Sequence, residues 1–238
     1  MKLRLQITKD KDIRFISHLE YVRTIGRAIR RAKLPAAYSE GFNPHLKFSL
    51  ASALGVGVVS YTEFVEIELA EPVEIEAAAR ALDAALPRGI RVLAADAVNT
   101  HHPALMAQAA GASYRVTLPY DKDMSQAVEQ FNAAESLLFK KAAPKTKAKV
   151  KEIDVKFYIP HLDSECQGKE TVLAFDCKIT ATGSMKAVDL LNALNEQYGL
   201  ELPVEMADIE RLRLYRDDKN GKHIPLLNTD AVKLEESK

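Results

Sequence analysis

RFISHLEYVRTIGRAIRRAKLPAAYSEGFNPHLK, residues 14–47, is the stretch whose reading sets the fold. Within it Leu19, Val22, Ile25, Ile29 and Ala32 recur at helical spacing, which predicts a helix packed through one face. Ser17 stands at the N-cap position with Glu20 three residues later, the pattern of a capping box. Pro35 ends the run, since proline lacks an N–H and its ring clashes with the preceding turn. Ahead of the helix, Leu3, Leu5 and Ile7 alternate with Arg4 and Gln6 as a half-buried strand, and residues 9–12 (KDKD) turn the chain. Behind it, residues 46–53 read as a second strand and residues 54–60 (LGVGVVS) as a glycine-hinged connection. In residues 63–69 Val65, Ile67 and Leu69 face one way and Phe64, Glu66 and Glu68 the other, a third strand. Residues 73–86 form an alanine-rich helix stopped by Pro87 and Gly89, and residues 90–97 a last strand. The order βαββαβ is the split-βαβ, ferredoxin-like pattern.

The pattern recurs in the second half. Residues 114–118 read as a strand, and Asp121 caps a helix running to Phe139. Residues 140–149 (KKAAPKTKAK) form a basic loop, and residues 150–159 and 171–180 form strands joined by a polar hairpin loop. Ser184 caps a helix to Tyr198 that Gly199 ends, and residues 207–215 are the final strand. The expectation is an α+β protein of two tandem ferredoxin-like domains, residues 1–98 and 113–216. A connector (99–112) lies between them, and a loosely ordered polar tail (217–238) follows.

A chain of 238 residues with 33 Lys/Arg and 33 Asp/Glu is neutral overall, which argues against nucleic acid. The average hides an asymmetry. Residues 1–50 hold 11 Lys/Arg against 4 Asp/Glu, and residues 51–100 hold 3 against 8. Cys166 and Cys177 are too few for a disulfide framework and match no zinc spacing, which fits a reduced cytoplasmic compartment. No run of 18 apolar residues is present to span a membrane.

The basic region carries the candidate chemistry. Arg23, Arg27 and Arg30 or Arg31 fall on one helix face, and only Glu20 can pair with them within the helix. A solvated face or a dock for an acidic protein would look similar. Unpaired arginine, with its planar fork, also suits phosphate and releases counterions on binding it. In the following loop Gly41 permits a positive φ and Pro44 keeps Asn43 extended, which fixes Tyr38, Phe42 and His45 in relation to one another. Aromatics beside cations such as Lys47 stack single-stranded bases while phosphates are held, although Phe42 taken alone reads as a plug at the edge of the core. His18 and His45 are candidate catalytic residues, an acid and a base for RNA cleavage. Two histidines without a carboxylate or thiol cluster make a poor metal site, and His101-His102-Pro103 reads as connector. No phosphate-binding glycine loop, GxGxxG, GxSxG or HExxH is present.

Arg14, Phe15, Ser17, His18, Leu19, Arg23, Arg27, Ala28, Arg30, Arg31, Leu34, Pro35, Tyr38, Ser39, Gly41, Phe42, Asn43, Pro44 and His45 together closely resemble the motif of the radical-SAM-linked protein family. Leu54-Gly55, Glu63 and residues 103–106 (PALM) extend the likeness, which is specific over residues 1–120. Glu20 stands where aspartate is usual, and Leu46 where a proline often follows the histidine. The resemblance, to an uncharacterised bacterial family, implies a protein encoded beside or fused to a radical SAM enzyme and acting on RNA or the translation machinery, an accessory without a cofactor of its own. Two cysteines cannot hold an iron–sulfur cluster, which needs three or four thiolates. The expectation is RNA binding, to transfer or ribosomal RNA, through Arg14, Ser17, His18, Arg23, Arg27, Arg30, Arg31, Tyr38, Gly41, Phe42, Asn43, His45 and Lys47. The alternatives are a metal-independent endoribonuclease using His18 and His45, or a protein-interaction module.

Overall fold

The computed structural model describes residues 1–142 and 150–234. The chain is mixed α+β and divides into two compact units, Met1–Ala109 with Leu214–Lys238, and Ala110–Arg213.

In the first unit the elements are β1 (Lys2–Lys9), α1 (His18–Arg31), β2 (Phe48–Leu50), β3 (Val58–Glu68), α2 (Ile75–Ala85), β4 (Val92–Val98) and the short α3 (Leu105–Gln108). The strands lie in the order β2–β3–β1–β4, every neighbouring pair antiparallel. Leu3 and Leu5 stand opposite Ile67 and Val65 on one side and Ala97 and Ala95 on the other. Period-two alternation therefore puts one apolar row under the helices. Tyr21, Ile25, Ala28 and Ile29 of α1 and Ala78, Ala79 and Leu82 of α2 cover it. Burying each large aliphatic side chain contributes about 1.5–3 kcal/mol. Gly26 lets Phe48 lie against the helix, because a Cβ there would come within 3.2 Å of the Phe48 ring.

The other face of this sheet is polar and nevertheless closed. Arg4, 2% exposed, donates to Glu66 at 2.8 Å and to the Pro103 carbonyl at 2.6 Å. Lys2 donates to the His102 carbonyl at 2.7 Å and reaches Glu66 at 3.5 Å. The connector is thus fastened across β1 by two cations.

The second unit contains β5 (Gly111–Leu118), α4 (Ser125–Ala133), β6 (Leu138–Ala142), β7 (Val150–Asp154), the one-turn α5 (Val155–Tyr158), β8 (Asp163–Gln167), β9 (Glu170–Thr180), β10 (Gly183–Ser184), α6 (Ala187–Tyr198) and the first residues, 208–213, of β11 (Asp208–Asp217), whose remainder belongs to the first unit. Its strand order is β8–β9–β5–β11, and β6 and β7 form a separate two-stranded sheet. The helix expected to reach Phe139 stops at Ala133, and residues 138–142 are strand. The strand expected over residues 150–159 breaks after Asp154, whose carboxylate accepts from the Lys156 and Leu137 N–H groups and starts a turn. The hairpin partner of β9 is β8, in the stretch read as a loop, and β5 lies on the other side of β9. The side chains of β8 are mostly exposed, so the alternation that marks a half-buried strand is missing. Gly199, at φ 63°, closes α6 as expected. The basic loop expected at residues 140–149 begins as strand, and its remainder lies outside the described residues.

After Arg216 the sequence reads as a loose polar tail, and the structure corrects this. β12 (His223–Pro225) pairs with β11, and β13 (Val232–Lys233) pairs with β4. Leu226 and Leu227 are buried, and the buried Asp96 carboxylate accepts from both the backbone and side chain of Asn228. Two leucines and one carboxylate in need of donors hold this segment down. Among the described residues no helix is long and apolar enough to cross a membrane.

Removing one partner of a buried ion pair strands the other charge. Glu66→Ala is expected to lower stability by about 3–5 kcal/mol, measured by urea denaturation. Replacing both Arg4 and Glu66 by leucine is expected to cost less than the single change.

Candidate functional site

α1 sets the geometry of the basic surface. The Ser17 hydroxyl accepts the Glu20 N–H at 3.2 Å, so the helix starts where the capping pattern places it. With Tyr21, Ile25, Ala28 and Ile29 turned into the core, residues Leu19, Glu20, Arg23, Arg27, Arg30 and Arg31 are left along the opposite side. Leu19, expected on the apolar face, is therefore on the outside, and Tyr21 takes its place within.

Four guanidinium groups share this face with one carboxylate. Arg23 pairs with Glu20 at 2.6 Å, with both side chains at least half exposed, a contact worth at most about 1 kcal/mol. Arg31 donates to the Ala85 carbonyl at the end of α2. Arg30 reaches only the Gly26 carbonyl, at 3.4 Å, and Arg27 has no partner among the described residues. The acidic segment that follows in sequence does not neutralise the face. Glu63 and Glu66 are buried, Glu74 caps α2, Glu76 pairs with Arg80, and Glu68 takes Lys47 at 3.2 Å.

The loop expected to present Tyr38, Phe42, Asn43 and His45 hangs from the far end of β3. Its base is tied by Ala37 N–H to the Glu68 carbonyl and Lys47 N–H to the Ala37 carbonyl, at 2.8 and 2.9 Å. Higher up, Ser39 N–H donates to the His45 carbonyl at 2.8 Å, and His45 N–H donates to the Ser39 hydroxyl at 2.9 Å. Gly41 turns the tip at φ 115°, a conformation that a side chain there would strain. Phe42 is fully exposed and Tyr38 about half exposed, so Phe42 does not plug the core edge.

His18 and His45 do not meet. The start of α1 is tied to the end of β1, where Tyr21 donates from its hydroxyl to the Thr8 carbonyl at 2.6 Å. The His45 loop is tied to Glu68, which stands opposite Lys2 at the other end of that strand. The eight residues of β1 span about 25 Å. An acid–base pair needs hydrogen-bond reach or one bridging water, so this arrangement removes the basis for the paired-histidine ribonuclease. His102 is structural, its Nδ1 lying 3.2 Å from Arg4.

Two buried charges escaped the sequence reading. Lys9, 1% exposed, donates from Nζ to the Arg14 carbonyl at 2.8 Å and the Gly55 carbonyl at 3.3 Å. Glu63 is as deeply buried, opposite Ile7. Both continue the inward phase of their strands, Lys9 after Leu3, Leu5 and Ile7, and Glu63 before Val65 and Ile67. A charge in an inward phase was the available signal. Of the sequence-predicted residues, Arg14, Ser17 and His18 gather at the start of α1, and Arg23, Arg27, Arg30 and Arg31 along it. Tyr38, Gly41, Phe42, Asn43, His45 and Lys47 lie beyond its end. Among the described residues no group of three or more His, Cys, Asp and Glu is placed to hold a metal ion.

The fold and site define an α+β protein with a cationic helix face and an exposed aromatic loop. The chain belongs to the family described as "Uncharacterized protein conserved in bacteria (DUF2344)", which matches residues 2–190. No curated protein matches it. Among solved structures it is similar in fold to a chain of a Cbf5–Nop10–Gar1 complex, with a TM-score of 0.51 and 14% identity over 91% of this chain and 50% of that one. An archaeal box H/ACA sRNP Nop10–Cbf5 complex follows at a TM-score of 0.43 and 11% identity, over 90% of this chain and 47% of that one. The chain spans about half the length of these two solved chains.

Burial pushes the Cys177 thiol up to about 11, whereas Cys166 is exposed. Iodoacetamide at pH 8 is expected to label Cys166 within minutes and leave Cys177 unmodified in the folded protein, read by peptide mass spectrometry.

Proposed function

We propose that this chain is a cytoplasmic, non-catalytic accessory protein that binds RNA, transfer or ribosomal, on behalf of a radical SAM enzyme. Arg23, Arg27, Arg30, Arg31 and Lys47 hold phosphates, Arg14, Ser17 and His18 flank them, and Tyr38, Gly41, Phe42, Asn43 and His45 form the contact to a base. The observation that carries the reading is the α1 face, where four guanidinium groups stand against one carboxylate and lead to a loop with a fully exposed phenylalanine. Partly unpaired arginines attract phosphate by releasing its counterions, and aromatic side chains beside them stack bases. The radical SAM partner rests on the resemblance at residues 14–45.

We further read both units as ferredoxin-like. The orders β2–β3–β1–β4 and β8–β9–β5–β11 correspond strand for strand, and a helix follows the first and third strand of each set. On this reading the β6–β7 hairpin and α5 are an insertion in the second copy. The solved chain at TM-score 0.51 supports the mixed α+β fold and nothing finer.

The test is fluorescence anisotropy with labelled transfer RNA across a salt series. Arg23→Ala/Arg27→Ala/Arg30→Ala is expected to weaken binding at least tenfold at moderate salt. The slope of log affinity against log salt is expected to flatten by about 2, at roughly 0.7–0.9 for each phosphate no longer neutralised. Unchanged affinity and slope in that variant would overturn the reading.

A further inference from the structure

At the start of α1, opposite the Phe42 loop, a second aromatic stands in solvent. Phe15 is 69% exposed. The backbone that carries it is nevertheless fixed. The carbonyl of the preceding residue, Arg14, accepts from the buried Lys9 ammonium at 2.8 Å and from the Gly57 N–H at 2.8 Å. The same ammonium holds the Gly55 carbonyl, so one buried charge clamps the two loops that flank the ring. Gly57 lies under the ring edge, where an added Cβ would sit 3.9 Å from Phe15. The Arg14 guanidinium lies over the ring, 4.9 Å from its centre.

The backbone beneath this exposed ring is anchored from both flanking loops. A largely exposed ring with a guanidinium over it is a platform for a planar base, the guanidinium contributing to stacking or meeting the adjoining phosphate. Which nucleic acid it fits follows from the placement of the two aromatic ends. α1 starts at the Thr8–Lys9 end of β1 and is followed by Ala36, which bridges to Leu69 at the other end. The exposed arginines therefore run between Phe15 and the Phe42 loop.

We propose that Phe15 is a second base-stacking residue and that the ligand is a single strand of RNA laid along α1, with bases stacked at both ends and phosphates on the arginines between. This deepens the RNA-binding reading and rests on it. The 14 residues of α1 span about 21 Å, room for roughly six stacked nucleotides at about 3.4 Å each. A regular duplex keeps its bases paired inside and offers no free base face to either ring, so it is the disfavoured form.

The experiment measures anisotropy of a labelled single-stranded RNA octamer, a trimer of the same composition and the octamer annealed to its complement. The proteins are the full chain, Phe15→Ala, Phe15→Leu and Phe42→Ala. Phe15 is largely in solvent, and circular dichroism melting checks that the variants fold as the parent does. The octamer is expected to bind more tightly than both trimer and duplex. Phe15→Ala, Phe15→Leu and Phe42→Ala are each expected to weaken octamer binding about tenfold at every salt concentration, with the salt slope unchanged, since a stacking contact releases no counterions. Equal or tighter binding of the duplex, or octamer binding by both Phe15 variants as tight as the parent's, overturns the inference. If transfer RNA still binds through the α1 arginines in that case, the RNA-binding reading stands without it. Absence of binding to every RNA at low salt overturns both.

Discussion

The packing of one helix against one sheet governs this surface. Tyr21, Ile25, Ala28 and Ile29 can be buried over Leu5, Val65 and Ile67 in only one rotation of α1. That rotation sends Arg23, Arg27, Arg30 and Arg31 outward together. A turn of the helix by one residue, about 100° around its axis, would drive guanidinium groups into an apolar layer, where an unpaired charge costs several kcal/mol. The positive face is therefore a product of the core. Gly26 adds to this constraint, since a Cβ there would come within 3.2 Å of the Phe48 ring, closer than ordinary van der Waals contact.

Much of the first unit was legible because its signals are local. The Ser17 cap, the helical recurrence of Ile25 and Ile29 and the alternation of Leu3, Leu5 and Ile7 each follow from nearest neighbours along the chain. Errors arose where burial depends on distant partners. Leu19 fits the helical period but lies outside the buried face of α1. The edge strand β8 has few inward side chains and reads as loop. The segment around Leu226 reads as tail until Asp96 supplies the reason for Asn228 to dock there. In the second unit, Asp154 breaks an otherwise plausible strand through two hydrogen bonds to backbone N–H groups, one of them 17 residues away in sequence.

The candidate site divides in the same manner. Its arginines were visible from spacing alone, as was the loop shaped by Gly41 and Pro44. The separation of His18 from His45 was not, because both lie near α1 in sequence while the helix carries them to opposite ends of β1. Lys9 shows the converse. A lysine at the end of a strand, followed by further acidic and basic residues, looks like solvent-facing punctuation. Only the fold reveals that its ammonium sits inside and fixes two loop carbonyls.

The cations on the non-helical side of the first sheet carry a last consequence. Four-stranded sheets that read RNA commonly do so by laying bases on an uncovered sheet surface. In this protein Arg4 and Lys2 bind the carbonyls of residues 102 and 103 across that side, and Asp96 receives Asn228 there. With that surface covered by the chain's own connector and C-terminal segment, its strands offer no open floor there, and the exposed charge of the unit's helices lies on the other side.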